Sequence, residues 1–280
     1  MKKTKIKIPA KINLTLDING VKDGYHTINS LVASVGVFDT VIAKKRKDNF
    51  ISVVFQGLSA EVEGTKSNAY FAALAFQKEF SVKGADIIIK RDIPAGAGLG
   101  GSSADIAGVL LALAKLYGIK SDLYELASSL GSDVWYMMGG GFAVISGRGE
   151  KVEKLCGVKK PLYLLIVKGS AGVSTSKSYS GYDKIGKTYP CVTASAAEAL
   201  VSGETERFLG ILKNDLYESS ARILPEIADT LAQLKKLGAA VMTGSGSAVV
   251  GVYTAQKSRD KAYKALVGRF CDRLIKTKTL

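Results

Sequence analysis

Residues 92 to 118 read DIPAGAGLGGSSADIAGVLLALAKLYG. Four glycines (Gly96, Gly98, Gly100 and Gly101) fall within six residues, and an apolar segment follows at once. Glycine takes positive φ without steric penalty and lets the backbone approach a ligand closely. Ile106, Val109, Leu110, Leu113, Leu116 and Tyr117 recur at helical spacing, and Gly118 can close the helix. The stretch therefore predicts a tight loop opening a long helix with one apolar face.

Gly96, Gly98 and Gly101 also satisfy G-x-G-x-x-G, the spacing of a dinucleotide-binding turn. That turn belongs to a first βα unit, with an acidic residue about 20 positions on at a strand end. Here the loop is mid-chain, and LYGIKSDLYEL at that distance joins two helices. A purely structural turn would account for one or two glycines, not four. The remaining reading is an anion cradle, built from inward-pointing N–H groups and the N-terminus of the helix. Ser102 and Ser103 can cap that helix, bond a phosphate oxygen or reach its metal ion. No P-loop lysine follows, so positive charge must come from elsewhere.

With 280 residues the chain suits one large domain or two modest ones. Its composition, 47% hydrophobic and 23% charged, is that of a globular protein. No apolar run approaches the roughly 18 residues of a membrane span. The start, MKKTKIKIPAKINLTL, alternates like a strand, so no signal peptide is expected. Cys156, Cys191 and Cys271 are scattered and lack metal spacing, which suits a reducing cytoplasm. His26 is the only histidine, so no histidine metal cluster can form and no metal-ligating residues are assigned. The net charge of +14 draws polyanions. The densest run, KKRK at 44 to 47, reads as a solvated hairpin tip, and no basic helix or basic–aromatic stripe points to nucleic acid.

Strands are expected at about 4–18, 28–44, 50–57 and 85–91. A helix over TKSNAYFAALAFQKEF should start near Ser67 or Asn68, and SDLYELASSLG reads as a helix with an Asp122–Glu125 capping box. A glycine-rich hinge and a strand follow in MMGGGFAVISG. PLYLLIV is a buried strand, and EIADTLAQLKKLG is a helix ending at Gly238. AAVMTGSGSAVVGVYT is strand, glycine turn, strand; RDKAYKALVGRF is a late helix before a short closing strand. This mixture predicts an α+β protein of two domains, 1–155 and 156–280.

The loop PAGAGLGGSSADIAG resembles the second signature of the GHMP kinases, P-x-x-x-G-L-G-S-S-A. The extra glycine and Asp105 move it towards the branch acting on 4-diphosphocytidyl-2-C-methyl-D-erythritol. IPAKINLTLDINGVKDGYHTINSLV is similar to that branch's P-A-K-[IL]-N-L-x-L followed by D-G-Y-H. LGSDVWYMMGGGFAVISGRGEKV resembles L-G-[AS]-D-V-P-F-F, a glycine hinge and G-x-G-E, matching at Asp133, Gly147, Gly149 and Glu150. It departs at Trp135, Tyr136 and Met137. GVSTSKSY and MTGSGSAVVGVY resemble two later segments, and SNAYFAALAF more loosely the one that places an asparagine near adenosine.

The resemblance implies a two-domain GHMP kinase fold, with an N-terminal α/β nucleotide-binding domain and a C-terminal α+β sandwich-type domain. It implies ATP-dependent phosphorylation of the substrate's 2-hydroxyl, with Mg²⁺, in the non-mevalonate route to isoprenoids. Asp133 would be the base, and Lys11 beside it would keep it ionised. Pro94, Gly96, Ala97, Gly98, Leu99, Gly100, Gly101, Ser102, Ser103 and Asn68 would hold ATP. Asn13, Tyr25, His26, Thr175, Tyr179, Gly244 and Ser245 would bind the substrate, with His26 and the two tyrosines at the cytosine. The expected partner is this small cytidyl diphosphate compound, not membrane or nucleic acid, and the protein should be a monomer or homodimer. A GHMP kinase for another alcohol, or a non-catalytic binding protein on this fold, are the alternatives.

Overall fold

The computed structural model describes residues 2–58 and 64–280. The chain divides into two compact units, each assembled from separate stretches of sequence. The first unit takes Met1–Ala10, Val37–Ala95 and Gly100–Gly139; the second takes Lys11–Gly36, Gly96–Leu99 and Gly140–Leu280. Strand β1 (Lys3–Asn13) therefore gives its last three residues to the second unit, and β3 (Tyr25–Lys45) is shared in the same way.

The expected strand over 4–18 is interrupted by a bend at Leu14, whose amide bonds the Leu31 carbonyl at 2.8 Å. It becomes β1 and β2 (Thr15–Lys22). In the first unit, β4 (Ser52–Gly57) runs parallel to β5 (Ala85–Arg91), and β5 is antiparallel to the Thr40–Lys45 part of β3. β5 thus lies between β3 and β4, so residues 44–47 do not form the expected hairpin tip. Arg46 is instead tied to Asp48 at 2.7 and 2.8 Å and to Asp86 at 2.7 Å. Along β5, Ala85, Ile87 and Ile89 are buried in strict alternation, the pattern of a strand with one face on the core.

Helices α1 (Asn68–Phe80) and α2 (Gly101–Tyr117) pack on one another. Ser67 caps α1, its side chain accepting from the Tyr70 amide at 3.1 Å. Helix α2 closes at Gly118, whose φ is 75°. Its expected single apolar face is exceeded: nearly every residue from Ala104 to Leu116 is buried. Small residues on its other faces allow this. At Gly108 an added Cβ would stand 2.5 Å from Val41 Cγ2 and 3.1 Å from Ile8 Cγ1. Thr4 Oγ1 also donates to the Ala112 carbonyl at 3.1 Å, tying β1 to the helix. Each fully buried Leu or Ile here contributes roughly 1.5–3 kcal/mol. Two short helices follow, α3 (Tyr124–Leu130) and α4 (Val134–Gly139). The expected Asp122–Glu125 box does not form, because Leu123 is the N-cap; Asp122 Oδ1 still accepts from the Tyr124 amide at 3.0 Å.

In the second unit, β6 (Phe142–Gly147) pairs with the Ile28–Ala33 part of β3 and with β7 (Lys151–Lys154). A second, antiparallel sheet has the order β10–β11–β8–β12, formed by β8 (Tyr163–Val167), β10 (Ala239–Met242), β11 (Val249–Tyr253) and β12 (Leu274–Lys278). Every residue of β11 is buried. Helices α9 (Glu226–Lys235) and α10 (Gln256–Phe270) pack against this sheet. Sequence reading missed α5 (Thr175–Ile185), α6 (Thr193–Ser202), α7 (Thr205–Ile211) and α8 (Tyr217–Ile223). The short β9 (Lys213–Asn214), also missed, pairs in parallel with the start of β2. No helix among the described residues is long and apolar enough to cross a membrane.

Candidate active site

Asn13 organises the second unit's share of the predicted site. Its Oδ1 accepts from Lys11 Nζ at 2.7 Å and from the Gly244 amide at 3.0 Å. Its Nδ2 donates to Ser30 Oγ at 2.7 Å, and its backbone amide donates to Thr243 Oγ1 at 2.9 Å. Lys11 and Asn13 are both buried, so these bonds set the position of the ammonium group. Asn13, expected to touch substrate, here positions Lys11 and the 243–244 turn.

The same turn meets the first part of the glycine loop. Thr243 Oγ1 donates to the Gly98 carbonyl at 3.3 Å, and the Ala248 amide donates to the Ala97 carbonyl at 3.1 Å. The Lys11 amide bonds the Leu99 carbonyl at 3.0 Å. Gly98 has φ 75°, and a Cβ there would lie 2.2 Å from the Thr243 carbonyl oxygen. Backbone crosses backbone at this point, and only glycine permits it. Gly96 meets Gly172 in the same manner, at 3.1 Å. Ser245 Oγ lies 3.1 Å from Thr175 Oγ1, which brings these two predicted residues together.

In the first unit, Gly100 (φ 77°) is the N-cap of α2, and no side chain caps the helix. Ser102 and Ser103 therefore stand within the first turn rather than at the cap. The Ala104 amide is the first to bond back, to the Gly100 carbonyl at 2.8 Å. The preceding amides of the turn have no acceptor within the helix, which suits an anion. Ser102 is exposed and accepts from Asn68 Nδ2 at 3.0 Å, so the asparagine and the serine meet.

Two buried carboxyls anchor the strand that enters the loop. Asp39 Oδ1 accepts from the amides of Asp92 and Ile93, at 2.7 and 2.9 Å, just before the buried Pro94. Asp105 Oδ2 accepts from Arg91 at 3.0 Å (Nε) and 2.6 Å (Nη2). The other oxygen of each carboxyl is buried without a hydrogen bond. Burial pushes the Asp39 pKa up to about 6, the nearby Asp105 adding to it against the two amides. Burial raises Asp105 as well, with Arg91 opposing. Asp39 and Arg91 carried no motif signal.

Asp133 sits directly before α4, and its carbonyl accepts from the Met137 amide at 2.9 Å. In the divergent segment after it, Tyr136 and Met137 are core residues. The Trp135 ring meets Tyr124 edge-on, with centroids 5.3 Å apart.

An aromatic group forms in the second unit around His26. The His26 ring stacks on Tyr179 with centroids 4.7 Å apart and an interplanar angle of 26°. Tyr182 meets it edge-on at 6.2 Å, and Nε2 lies 2.7 Å from Asp183 Oδ1. Tyr25 lies outside this stack, 58% exposed, with the Arg148 guanidinium 4.4 Å from its ring centroid. A base inserted between two rings needs them roughly 7 Å apart, twice the ordinary contact distance. His26 and Tyr179 are already in direct contact, so no slot lies between them. Tyr179 is on helix α5. Sequence reading missed Tyr182, Asp183 and Arg148. A helical reading of 175–185 would have shown Tyr179 and Asp183 on one face.

Comparison with known proteins gives this geometry its context. A model of the N-terminal domain of GHMP kinases matches residues 67–147, and one of the C-terminal domain matches residues 196–272. The 4-diphosphocytidyl-2-C-methyl-D-erythritol kinase of Desulfitobacterium hafniense (strain Y51) is 38% identical over 261 residues, covering 90% of this chain and 88% of that protein. The protein of the same name from Shouchella clausii (strain KSM-K16) is 35% identical, covering 98% and 95%. A crystal structure of 4-(cytidine 5'-diphospho)-2C-methyl-D-erythritol kinase superposes with a TM-score of 0.81 at 29% identity, covering 99% of this chain and all of that one. L. major mevalonate kinase, at 16% identity and a TM-score of 0.76 (99% and 97% covered), shares the fold. The glycine loop, the uncapped helix start and these matches define an ATP-dependent small-molecule kinase. The chain belongs to the GHMP kinases, and has their two-domain fold.

Proposed function

We propose that this chain transfers the γ-phosphoryl group of ATP to the 2-hydroxyl of 4-diphosphocytidyl-2-C-methyl-D-erythritol, in the non-mevalonate route to isoprenoid precursors. The observation that carries this reading is near-full-length similarity to relatives bearing that name. The His26, Tyr179 and Tyr182 group, with Tyr25 under Arg148, supports it by supplying aromatic faces and a base-edge partner in the second unit. Residues 1–155 and 156–280 would correspond to the two family domains.

Phosphoryl transfer is chiefly positioning and charge stabilisation. In this reading Asp133 accepts the proton of the attacking hydroxyl. The Lys11 ammonium, held by Asn13, offsets the charge that grows on the transferred group. The amides of residues 96–103, with Ser102, Ser103 and Asn68, bind the nucleotide phosphates and adenosine. No group of three or more Asp, Glu, His or Cys among the described residues is arranged to hold a metal. The hydroxyl oxygens of Ser102 and Ser103 at the start of α2 fit a magnesium ion that arrives on the phosphates and would help hold it, while the amides there suit the phosphate oxygens. When bound, it neutralises phosphate charge. The three cysteines are exposed and free, which suits a reducing cytoplasm.

Coupled ADP release, with the cytidyl compound, mevalonate, homoserine or no acceptor, tests the assignment. Stimulation by the first alone is expected. Stimulation by mevalonate or homoserine, without the cytidyl compound, would overturn it.

A further inference from the structure

We infer that Arg91 and Asp105 are positioning residues for the nucleotide phosphates, paired to close the glycine loop and to cancel the charge that Asp105 brings to the start of α2. This rests on the proposed placement of the ATP phosphates at residues 96–103 and names what holds that placement. Arg91 is the last residue of β5 and Asp105 the fifth of α2, so the pair ties the entry of the loop to its exit. Nε and Nη2 of Arg91 both donate to Asp105 Oδ2, at 3.0 and 2.6 Å.

A loop with four glycines in six residues has little stiffness of its own, because glycine has the most backbone freedom to lose. Its ends must be set from outside, and three contacts within the first unit do so. Besides the Arg91–Asp105 pair, Asp39 Oδ1 holds the amides of Asp92 and Ile93 at 2.7 and 2.9 Å. Ile93 Cγ2 lies 3.4 Å from where a Cβ on Gly101 would stand, so the entry touches the exit. Arg91 is itself seated. Its guanidinium lies 4.0 Å from the Phe55 ring centroid, and its carbonyl accepts from the Leu58 amide at 2.9 Å. A misplacement of about 1 Å can cost on the order of 10²-fold in rate, so the span of the loop matters for more than stability.

The pair also acts through charge. Asp105 stands about 6 Å along the helix axis from Gly101. A carboxylate there opposes an anion at the free amides of the helix start. Asp105 is buried, and among the described residues Arg91 is the only partner of its carboxyl. With the guanidinium on it, the carboxylate adds no net charge beside the phosphates. The two partners are therefore not equivalent. Losing Arg91 leaves a buried negative charge at the site, whereas neutralising Asp105 leaves a cation there.

Calorimetry with magnesium ADP, and with adenosine as the phosphate-free control, tests this on the intact protein and its folded variants. Arg91→Met should weaken ADP binding roughly 10- to 100-fold and leave adenosine nearly unchanged. Asp105→Asn, whose side-chain oxygen can still accept from Arg91, should change ADP affinity by less than about 3-fold. Adding Asp105→Asn to Arg91→Met should recover part of the loss, because the unpaired carboxylate is gone. Arg91→Lys keeps the charge without the two-pronged bond and should fall between the intact protein and Arg91→Met. It carries the test if Arg91→Met does not fold. Unchanged ADP affinity in the Arg91 variants, equal losses of ADP and adenosine, or a double variant no better than Arg91→Met would overturn the inference. A separate variant judges the phosphate placement. Gly100→Val cannot keep a φ of 77° without strain and should lose the preference for ADP over adenosine. Retention of that preference would remove the phosphates from this loop.

Discussion

Asp133 carries the heaviest chemical demand in the proposed reaction, because the acceptor hydroxyl must lose its proton as it attacks. Asp133→Ala should lower kcat by about 10²–10⁴-fold, the usual size of a general-base contribution. Nucleotide affinity by calorimetry should be retained, since phosphate binding is assigned to other residues. Turnover near that of the intact protein would remove Asp133 from the role. Asp39 makes a different prediction. Its pKa rises from 3.8 to about 6 on folding, so the fold favours its neutral form. The stability it contributes is full below about pH 4 and is lost as pH rises through about 6. Asp39→Asn keeps an oxygen for the Asp92 and Ile93 amides and never ionises. Unfolding free energies from urea titrations should therefore move in favour of the variant between those pH values, by up to about 3 kcal/mol. Parallel curves for the two proteins would contradict this account.

Helix α2 is the element most constrained by its neighbours. The Cβ of Gly108→Ala would meet the branched, buried Val41 at 2.5 Å, where no flexible side chain can give way. The variant should lose about 1–3 kcal/mol in denaturant unfolding, despite alanine's better helix propensity. An unchanged or raised midpoint would show that β1 and β3 can yield. How far elements were legible depended on local signals. Ser67 and Gly118 marked the ends of α1 and α2 because each does its capping through its own backbone or hydroxyl. Helices α5 to α8 were not legible. None of the four has a side-chain-capped start, two are only seven residues long, and the first, TSKSYSGYDKI, is rich in serine. Tertiary packing decides them. The site shows the same division. The glycine loop, Lys11 and Asp133 announced themselves by motif. The bonds from Asn13 to residues 243 and 244 span 230 and 231 positions of sequence, which no local pattern encodes.

At the scale of the whole molecule, charge is the dominant property. The net +14 makes a field that concentrates phosphate-bearing substrates. Raising ionic strength from about 50 to 200 mM should lower kcat/KM for ATP and the cytidyl acceptor while leaving kcat nearly constant. A kcat/KM insensitive to salt would show that the field does not steer them. The bonds of Asn13 also set an order of events during synthesis. Lys11 and Asn13 leave the ribosome early, but Thr243 and Gly244, which bond Asn13, are made 230 and 231 residues after it. Such distant closures are slow, and they come after most of the chain has been exposed. A nascent chain can build α1 and α2 locally, yet two of the bonds that fix Asn13 wait until residues 243 and 244 have been made. Ribosome-stalled chains that stop short of residue 243 would therefore contain Lys11, Asn13 and Ser30 but lack the two bonds that tie Asn13 to the 243–244 turn.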